Sequence, residues 1–357
     1  MSRVLIVGAG LTGSVCACLL RRELQNKVHI VVWDKARGSG GRMSTTRPPD
    51  PSSHSADLGA QYITATPAYA QSHHSFYSEL LSSGVLQPLL TQVEGLKHKD
   101  NERNYVTPLG MCSVVKHFLS ESGADLFFEH HVTGLYRQVQ SWEVERKAGA
   151  SGDVDAVILT MPVPQILQLQ GDVGQLLSRP AEATVRRGRV LVSFRRRSLL
   201  PSRRRHSVPV GGSIRHDNSC IRYIAVDDRK RNTDAPGRGP SLVVHTSVPF
   251  GLEHLERDKE DVQPIILLEL RKLLPDLPQP ISIKCQKWRY LPGADLGVEL
   301  SGSHDPPRPT APHLWRRRVQ SLQLRRLRGV STERGRCAEG LVHTDIRLIL
   351  VIKCFIK

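Results

Sequence analysis

Gly8, Gly10 and Gly13 stand at G-x-G-x-x-G spacing within Gly8-Ala9-Gly10-Leu11-Thr12-Gly13, and an acid, Asp34, follows 26 residues after the first of them. Residues of these types at this spacing can hold a nucleotide diphosphate. The first glycine permits a tight turn, the second lets the backbone approach a pyrophosphate, and Gly13 lets a helix pack closely on a strand. The N–H groups opening that helix, with the positive end of its dipole, then face the phosphates. Asp34 is placed to accept from both hydroxyls of an adenosine ribose. A carboxylate there repels a 2′-phosphate, so FAD or NAD is expected and NADP is not. A glycine turn that binds nothing is the weaker reading, because the surrounding elements have the right order.

Those elements are legible on both sides. Val4-Leu5-Ile6-Val7 is a short apolar run rich in β-branched residues, Ser14 to Arg22 is helix-like, and Val28 to Trp33 is a second buried-strand pattern ending at Asp34. Strand, glycine turn, helix, strand and acid make a βαβ unit. Arg3 ahead of an apolar stretch with small residues also suits a secretory leader, but a leader needs neither the three glycines nor the acid. Further along, helices are expected over Tyr69–Leu81, Ser113–Leu119, Gln165–Leu169 and Asp261–Leu274. Strands are expected over Leu126–Leu135, Trp142–Glu145, Val154–Met161, Ile221–Val226, Leu242–Val248 and Ile281–Trp288. Interleaved elements of both kinds predict an α/β core with an antiparallel second sheet.

A second cluster separates FAD from NAD. Gly40-Gly41-Arg42-Met43 follows the acid, and Asp57-Leu58-Gly59-Ala60-Gln61-Tyr62 lies a little further on. Glycines beside an arginine allow close approach to a long cofactor while the guanidinium neutralises phosphate. A nicotinamide dehydrogenase has no use for this second pair. With VLIVGAGLTGS, VWDKA, SGGRMSTT, ADLGAQYIT, VILTMPVPQILQLQGD, GPSLVVHTSVPFG and LPQPISIKCQKWR, the chain resembles the flavin amine-oxidase superfamily and, within it, the renalase family. The resemblance covers residues 1 to about 178 and about 217 to 290.

The resemblance implies a Rossmann-like FAD-binding domain of the p-hydroxybenzoate-hydroxylase kind, carrying an α+β substrate domain. It implies an oxidase that converts the 2-dihydro and 6-dihydro isomers of NAD(P)H to NAD(P)+ and reduces O2 to H2O2. Catecholamine oxidation with secretion is the alternative within the superfamily, and a catalytically inactive dinucleotide-binding or signalling protein the alternative outside it. By position, Gly8, Gly10, Thr12 and Gly13 would hold the pyrophosphate and Asp34 the ribose, with Lys35 and Gly41 in the same motifs. Arg42 would contact phosphate, Gln61 and Tyr62 would lie near the isoalloxazine, and Val132 would sit on the strand whose backbone reads adenine. Tyr62, His245 and Trp288 are the substrate-side candidates. His245 also reads as a satisfied histidine in a half-buried strand, and Trp288 as sheet packing. His73-His74 reads as a solvated helix face, and Cys16 and Cys18 as small packing residues. The domain division expected is 1–75 with 105–165 for FAD, 76–104 with 166–291 for substrate, and 292–357 as a basic tail.

The net charge of +16 suggests a nucleic-acid or membrane-surface partner only until its distribution is examined. Residues 179–215 hold 11 arginines, no lysine and one acid; residues 292–357 hold 12 basic and six acidic side chains. Those two stretches account for the whole excess, and neither interleaves aromatics with its arginines as a single-strand binder would. No nucleic acid is expected as partner; a small dihydronicotinamide and O2 are. No run approaches the about 20 apolar residues of a membrane helix. Seven cysteines, an odd number without a C-x-x-C pair, speak against a disulfide scaffold and a zinc site. They point to the cytoplasm, with secretion the alternative by resemblance.

The same two stretches are where the resemblance lapses. Members of the family close on a flavin-contacting Gly-Gly-Asp-Gly-Phe segment, where this chain has Pro306-Pro307-Arg308-Pro309 and Leu314-Trp315-Arg316-Arg317-Arg318. Arginine without lysine is what GC-rich coding sequence gives when read out of frame. Codons exist for which Leu314 to Val319, shifted by one nucleotide, spell Cys-Gly-Gly-Asp-Gly-Phe. Both stretches are therefore expected to be out-of-frame translations, poorly packed because so many arginines cannot be buried without partners, with a weakened hold on the flavin.

Overall fold

The computed structural model describes residues 1–46, 55–96, 101–176, 191–197, 211–233, 241–277, 279–280, 282–288 and 347–350. β1 (Ser2–Val7), α1 (Leu11–Leu24) and β2 (Val28–Trp33) form the expected βαβ unit, with β1 and β2 parallel and in register from Ser2↔Val28 to Val7↔Trp33. Leu5, Ile6 and Ile30 have no exposed surface. Burial on both faces is why these strands read as continuous apolar runs. α1 turns Val15, Cys16, Cys18 and Leu20 into the core. Burial pushes the Cys16 thiol up to about 12, so it packs as a small apolar group.

After β2 come β3 (Ile63–Ala65), α2 (Pro67–Ser72), α3 (His74–Ser82), β4 (Gln87–Pro88), β5 (Val93–Glu94), β6 (Arg103–Val106) and α4 (Cys112–Ser122). The single helix expected over Tyr69–Leu81 is two, because His73 leaves helical geometry at φ −122°. Phe76, Tyr77 and Leu80 of α3 pack with Val114, Val115 and Phe118 of α4 and with α1. Arg21 of α1 donates from Nε to the Ser122 carbonyl at 2.8 Å, satisfying the carbonyl end of α4.

β7 (Asp125–Phe127), β8 (Val132–Arg137), β9 (Trp142–Arg146), β10 (Gly152–Val154) and β11 (Ala156–Leu159) follow. Two expected long strands are divided. Leu126–Leu135 breaks at Glu129, which takes φ +60°, so β7 joins the parallel sheet beside β2 while β8 starts another. Val154–Met161 breaks at Asp155, whose carboxylate accepts from Arg3 N at 2.6 Å as the chain passes between sheets. The parallel sheet runs β19-β11-β1-β2-β7, where β19 is Arg347–Leu350. The antiparallel hairpins β8–β9 and β9–β10 extend to β12 (Gln170–Gly171), flanked by α5 (Val163–Ile166) and α6 (Val173–Leu176).

The second large sheet comprises β13 (Leu191–Arg197), β14 (Gly212–Ile214), β15 (Ile221–Val226), β16 (Ser241–Thr246), β17 (Ser282–Ile283) and β18 (Gln286–Trp288). Its order is β17-β13-β16-β15-β14-β5, with β18 also on β13. α7 (Asp227–Lys230) and α8 (Val248–Glu253) flank β16, and α9 (Lys259–Leu273) covers one face. Alternation along β16 decides the faces. Leu242 and Val244 pack with Val262, Ile266 and Leu270 of α9, while His245 takes the other face with Tyr223 and Ala225. Within 179–215 the described backbone is paired: β13 with β16, β17 and β18, and β14 with β15 and β5. Ladder pairing satisfies N–H and C=O whatever the side chain's charge, and β19 shows the same within the tail. The Gly-Gly-Asp-Gly-Phe question, at 306–319, lies outside the described residues. Among these residues no helix is long and apolar enough to cross a membrane, and no group of His, Cys, Asp and Glu is arranged to hold a metal ion.

Candidate functional site

The glycine turn is built as its spacing requires. Gly8 takes φ +115°, closed to most side chains, and a Cβ on Gly13 would lie 1.9 Å from the Gly8 carbonyl oxygen. That contact lets α1 spring directly from β1. Gly10 is the N-cap and brings no side-chain hydrogen bond, and a Cβ on it would meet nothing within 4 Å. A helix that opens uncapped, with space over its capping residue, suits a pyrophosphate. Thr12 lies buried in the first turn.

Asp34 is half-buried and closes the turn from the side. One carboxylate oxygen accepts from Ala9 N at 2.7 Å and the other from Ala36 N at 2.8 Å. A carboxylate offers roughly four lone-pair sites, so ribose hydroxyls can share it. The Asp34 backbone bonds Phe127 O and His130 N at 3.0 and 2.9 Å, which brings the segment ending at buried Val132 alongside. Lys35 is exposed at the same corner. Together with burial, its charge and that of Lys147 hold the His131 pKa below the usual imidazole range. Gly40 donates to the Ala9 carbonyl at 2.9 Å, laying Gly41 and half-buried Arg42 beside Gly10. The candidates from Gly8 to Arg42 thus follow the carboxyl ends of β1 and β2, inner strands of the parallel sheet, while Val132 opens β8 of the neighbouring sheet. The turn fits FAD.

Further along, Gln61 meets His245, and Trp288 reaches Gly59 of the same segment that carries Gln61 and Tyr62. Trp288 presses on Gly59, where a Cβ would lie 1.9 Å from the indole. His245 Nε2 lies 3.2 Å from the Leu58 carbonyl and 3.4 Å from Gln61 Nε2. Burial first, and the Lys230 ammonium second, push the His245 pKa down to about 4, so this imidazole is neutral near pH 7. His245 is buried with the Leu58 carbonyl as partner, which is what its reading as a satisfied histidine describes, and it forms a wall with Gln61. Tyr62 is half-buried and packs with Tyr223 and Val93, and burial raises its phenol pKa.

Beneath this wall lies a cluster that sequence reasoning missed. Asp57 and Asp227 face Lys230 and Arg231, with side-chain exposures between 0% and 4%. Arg231 Nη2 reaches a carboxylate oxygen of each aspartate at 2.6 Å. Lys230 Nζ meets Asp227 Oδ1 and lies 3.5 Å from Asp57 Oδ2. Two charges of each sign make the cluster neutral. Burial works against the Asp227 carboxylate, but Lys230 and Arg231 outweigh it and hold its pKa below the ordinary value. Asp57 also accepts from Thr45 Oγ1 and Met111 N, each at 2.7 Å, so the cluster ties the Leu58–Tyr62 segment to β15. In sequence, Val226-Asp227-Asp228-Arg229-Lys230-Arg231 has the look of a solvated charge run; only the burial of its neighbours shows otherwise.

Comparisons with known proteins agree with this geometry. Residues 6–80 match the NAD(P)-binding Rossmann-like domain and residues 70–313 the flavin containing amine oxidoreductase. The second match runs through the stretch at 179–216 where the resemblance was read to lapse. Renalase of Mus musculus is 44% identical over 294 residues, 81% of this chain and 85% of that protein. A crystal structure from Exiguobacterium, named as a candidate protoporphyrinogen oxidase, superposes with TM-score 0.62 at 13% identity, covering 81% of this chain and 86% of that one. Putrescine oxidase bound to putrescine gives 0.54 at 12% identity, covering 80% and 84%. These two likenesses show the fold. The chain belongs to the family of flavin-containing amine oxidoreductases, on its renalase branch, and is an FAD-dependent oxidoreductase.

Proposed function

We propose that the chain oxidises the 2-dihydro and 6-dihydro isomers of NAD(P)H to NAD(P)+ and reduces O2 to H2O2. The observation that carries this reading is the meeting of Trp288 and His245 on the Leu58–Tyr62 segment, whose own Tyr62 packs with Tyr223. FAD, when bound, would supply the two-electron redox chemistry that links the dihydropyridine to O2. Gly8, Gly10, Thr12, Gly13 and Arg42 hold its phosphates, Asp34 its ribose, and Gln61 with Tyr62 the ring end.

What remains for the protein is placement. Aromatisation of a dihydropyridine is downhill and requires no strong base, so a neutral His245 serves as a hydrogen-bonding wall. Trp288 and Tyr62 supply flat surfaces against which a planar ring can lie, which holds it for transfer. Aryl and imidazole surfaces also exclude water.

The test is purification with FAD, followed by single additions of each NADH isomer while flavin absorbance and H2O2 are recorded. Bleaching with the 2- and 6-dihydro isomers and one H2O2 per NAD+ is expected. Turnover of amines with none of the isomers would replace this reading by amine oxidation. A colourless protein that takes up no flavin would replace it by a non-catalytic dinucleotide-binding role.

A further inference from the structure

We infer that Lys230 is a positioning residue that fixes the orientation of the Gln61 carboxamide and, through it, which nitrogen of His245 carries the proton. The steps rest on donor and acceptor chemistry. Lys230 Nζ lies 2.9 Å from Gln61 Oε1, and an ammonium can only donate. The carboxamide oxygen is therefore the atom facing Lys230, and the amide cannot be turned over. Its NH2 then points the other way, with acceptors at the Asp57 carbonyl, 2.7 Å, and the Gly59 carbonyl, 2.9 Å. Two hydrogens meet two carbonyls, and none is left for the imidazole.

His245 Nε2, 3.4 Å from that nitrogen, receives no proton from it. The Leu58 carbonyl at 3.2 Å can only accept, so Nε2 carries the hydrogen and donates there. Nδ1 is left as the ring's acceptor. Other groups around the imidazole are Tyr223, with ring centroids 5.6 Å apart, and Asp227, whose charge acts against that of Lys230. Without Lys230 the carboxamide loses the charged anchor of its oxygen. An N–H of a freed Gln61 can then compete with the Leu58 carbonyl for Nε2 and draw the proton to Nδ1.

This inference takes from the proposed function only that His245 borders the substrate; its readout needs no substrate. The full chain, loaded with FAD and labelled with 15N at histidine, is examined by long-range 1H–15N correlation, with H245N to assign the signal. Native His245 is expected as one neutral form protonated at Nε2 near pH 7. The D227N/K230M variant removes one charge of each sign, so the cluster stays neutral, and it is expected to show a mixture of the two neutral forms. D57N/K230M preserves neutrality in the same way and replaces it if the first variant does not fold. A native His245 protonated at Nδ1, or a folded neutral-pair variant with the single native form, overturns the inference. An inactive chain with the expected spectra would sink the proposed reaction and leave the role of Lys230 standing.

Discussion

The glycine turn at β1–α1 and the charge cluster under Gln61 solve opposite problems. At the turn, backbone sets the shape: Gly8 and Gly13 bring strand and helix together, and Gly10 leaves open space above it. In the cluster, the side chains of Asp57, Asp227, Lys230 and Arg231 pair with one another out of reach of solvent, and neighbouring protein groups take up the bonds that remain. The turn is open and prepared for a guest, whereas the cluster is closed and complete. Damage to the first should register in cofactor uptake, and damage to the second in folding.

The largest effect is expected at the cluster. Asp227→Ala leaves two buried cations facing one carboxylate and removes the acceptor of Asp57 N. A loss of about 3–5 kcal/mol is expected, read by denaturant unfolding. A loss under about 1 kcal/mol would mean that water reaches the cluster.

Next is the pH dependence of His245. Its folded pKa of about 4 lies below the ordinary 6.5. Between those values the unfolded chain binds the proton that the native state refuses, so stability rises with pH across that window. The contribution is fully present above 6.5 and drains away as pH falls toward 4, on the order of 3 kcal/mol in all. Unfolding of H245N between pH 7 and 4.5 should lack that slope; equal slopes in the two proteins would place the titration elsewhere. Asp227 does not confuse the result, since its carboxylate, depressed below 3.8, gives up its share from about pH 5 downward in both proteins alike and drops out of their difference.

Two glycine substitutions then separate architecture from binding within the turn. Gly13→Ala forces a methyl to 1.9 Å from the Gly8 carbonyl oxygen. It should cost about 2–3 kcal/mol together with the flavin, seen as a lower Tm and colourless protein. Gly10→Ala meets nothing within 4 Å, so apoprotein stability should change by less than about 0.5 kcal/mol. Its FAD affinity should nevertheless fall, because the methyl occupies the cradle. Unchanged FAD binding in Gly10→Ala would move the pyrophosphate off this turn.

The unequal legibility of these two regions has a physical origin. The turn could be read from Gly8 to Asp34 because its constraints are local. The register of β1 with β2 adds little that the spacing had not implied. His245 and Trp288 were legible only as candidates, and their two readings could not be separated until Leu58 and Gly59 were seen against them. The divided strands at Glu129 and Asp155 were hidden because an apolar run carries no mark for where it changes sheets.

By itself the sequence determined the nucleotide turn, the acid beside it, the α/β class and the family. The turn and the acid depend on backbone geometry within some thirty residues, the class on apolar periodicity along the chain, and the family on short motifs spread from residue 4 to residue 289. Only the tertiary structure decided that Asp57, Asp227, Lys230 and Arg231 are sealed together, that Lys230 grips Gln61, and that His245 stays neutral. Charge in a sequence says nothing about dielectric, and the cost or value of an ionised group is set by what packs around it.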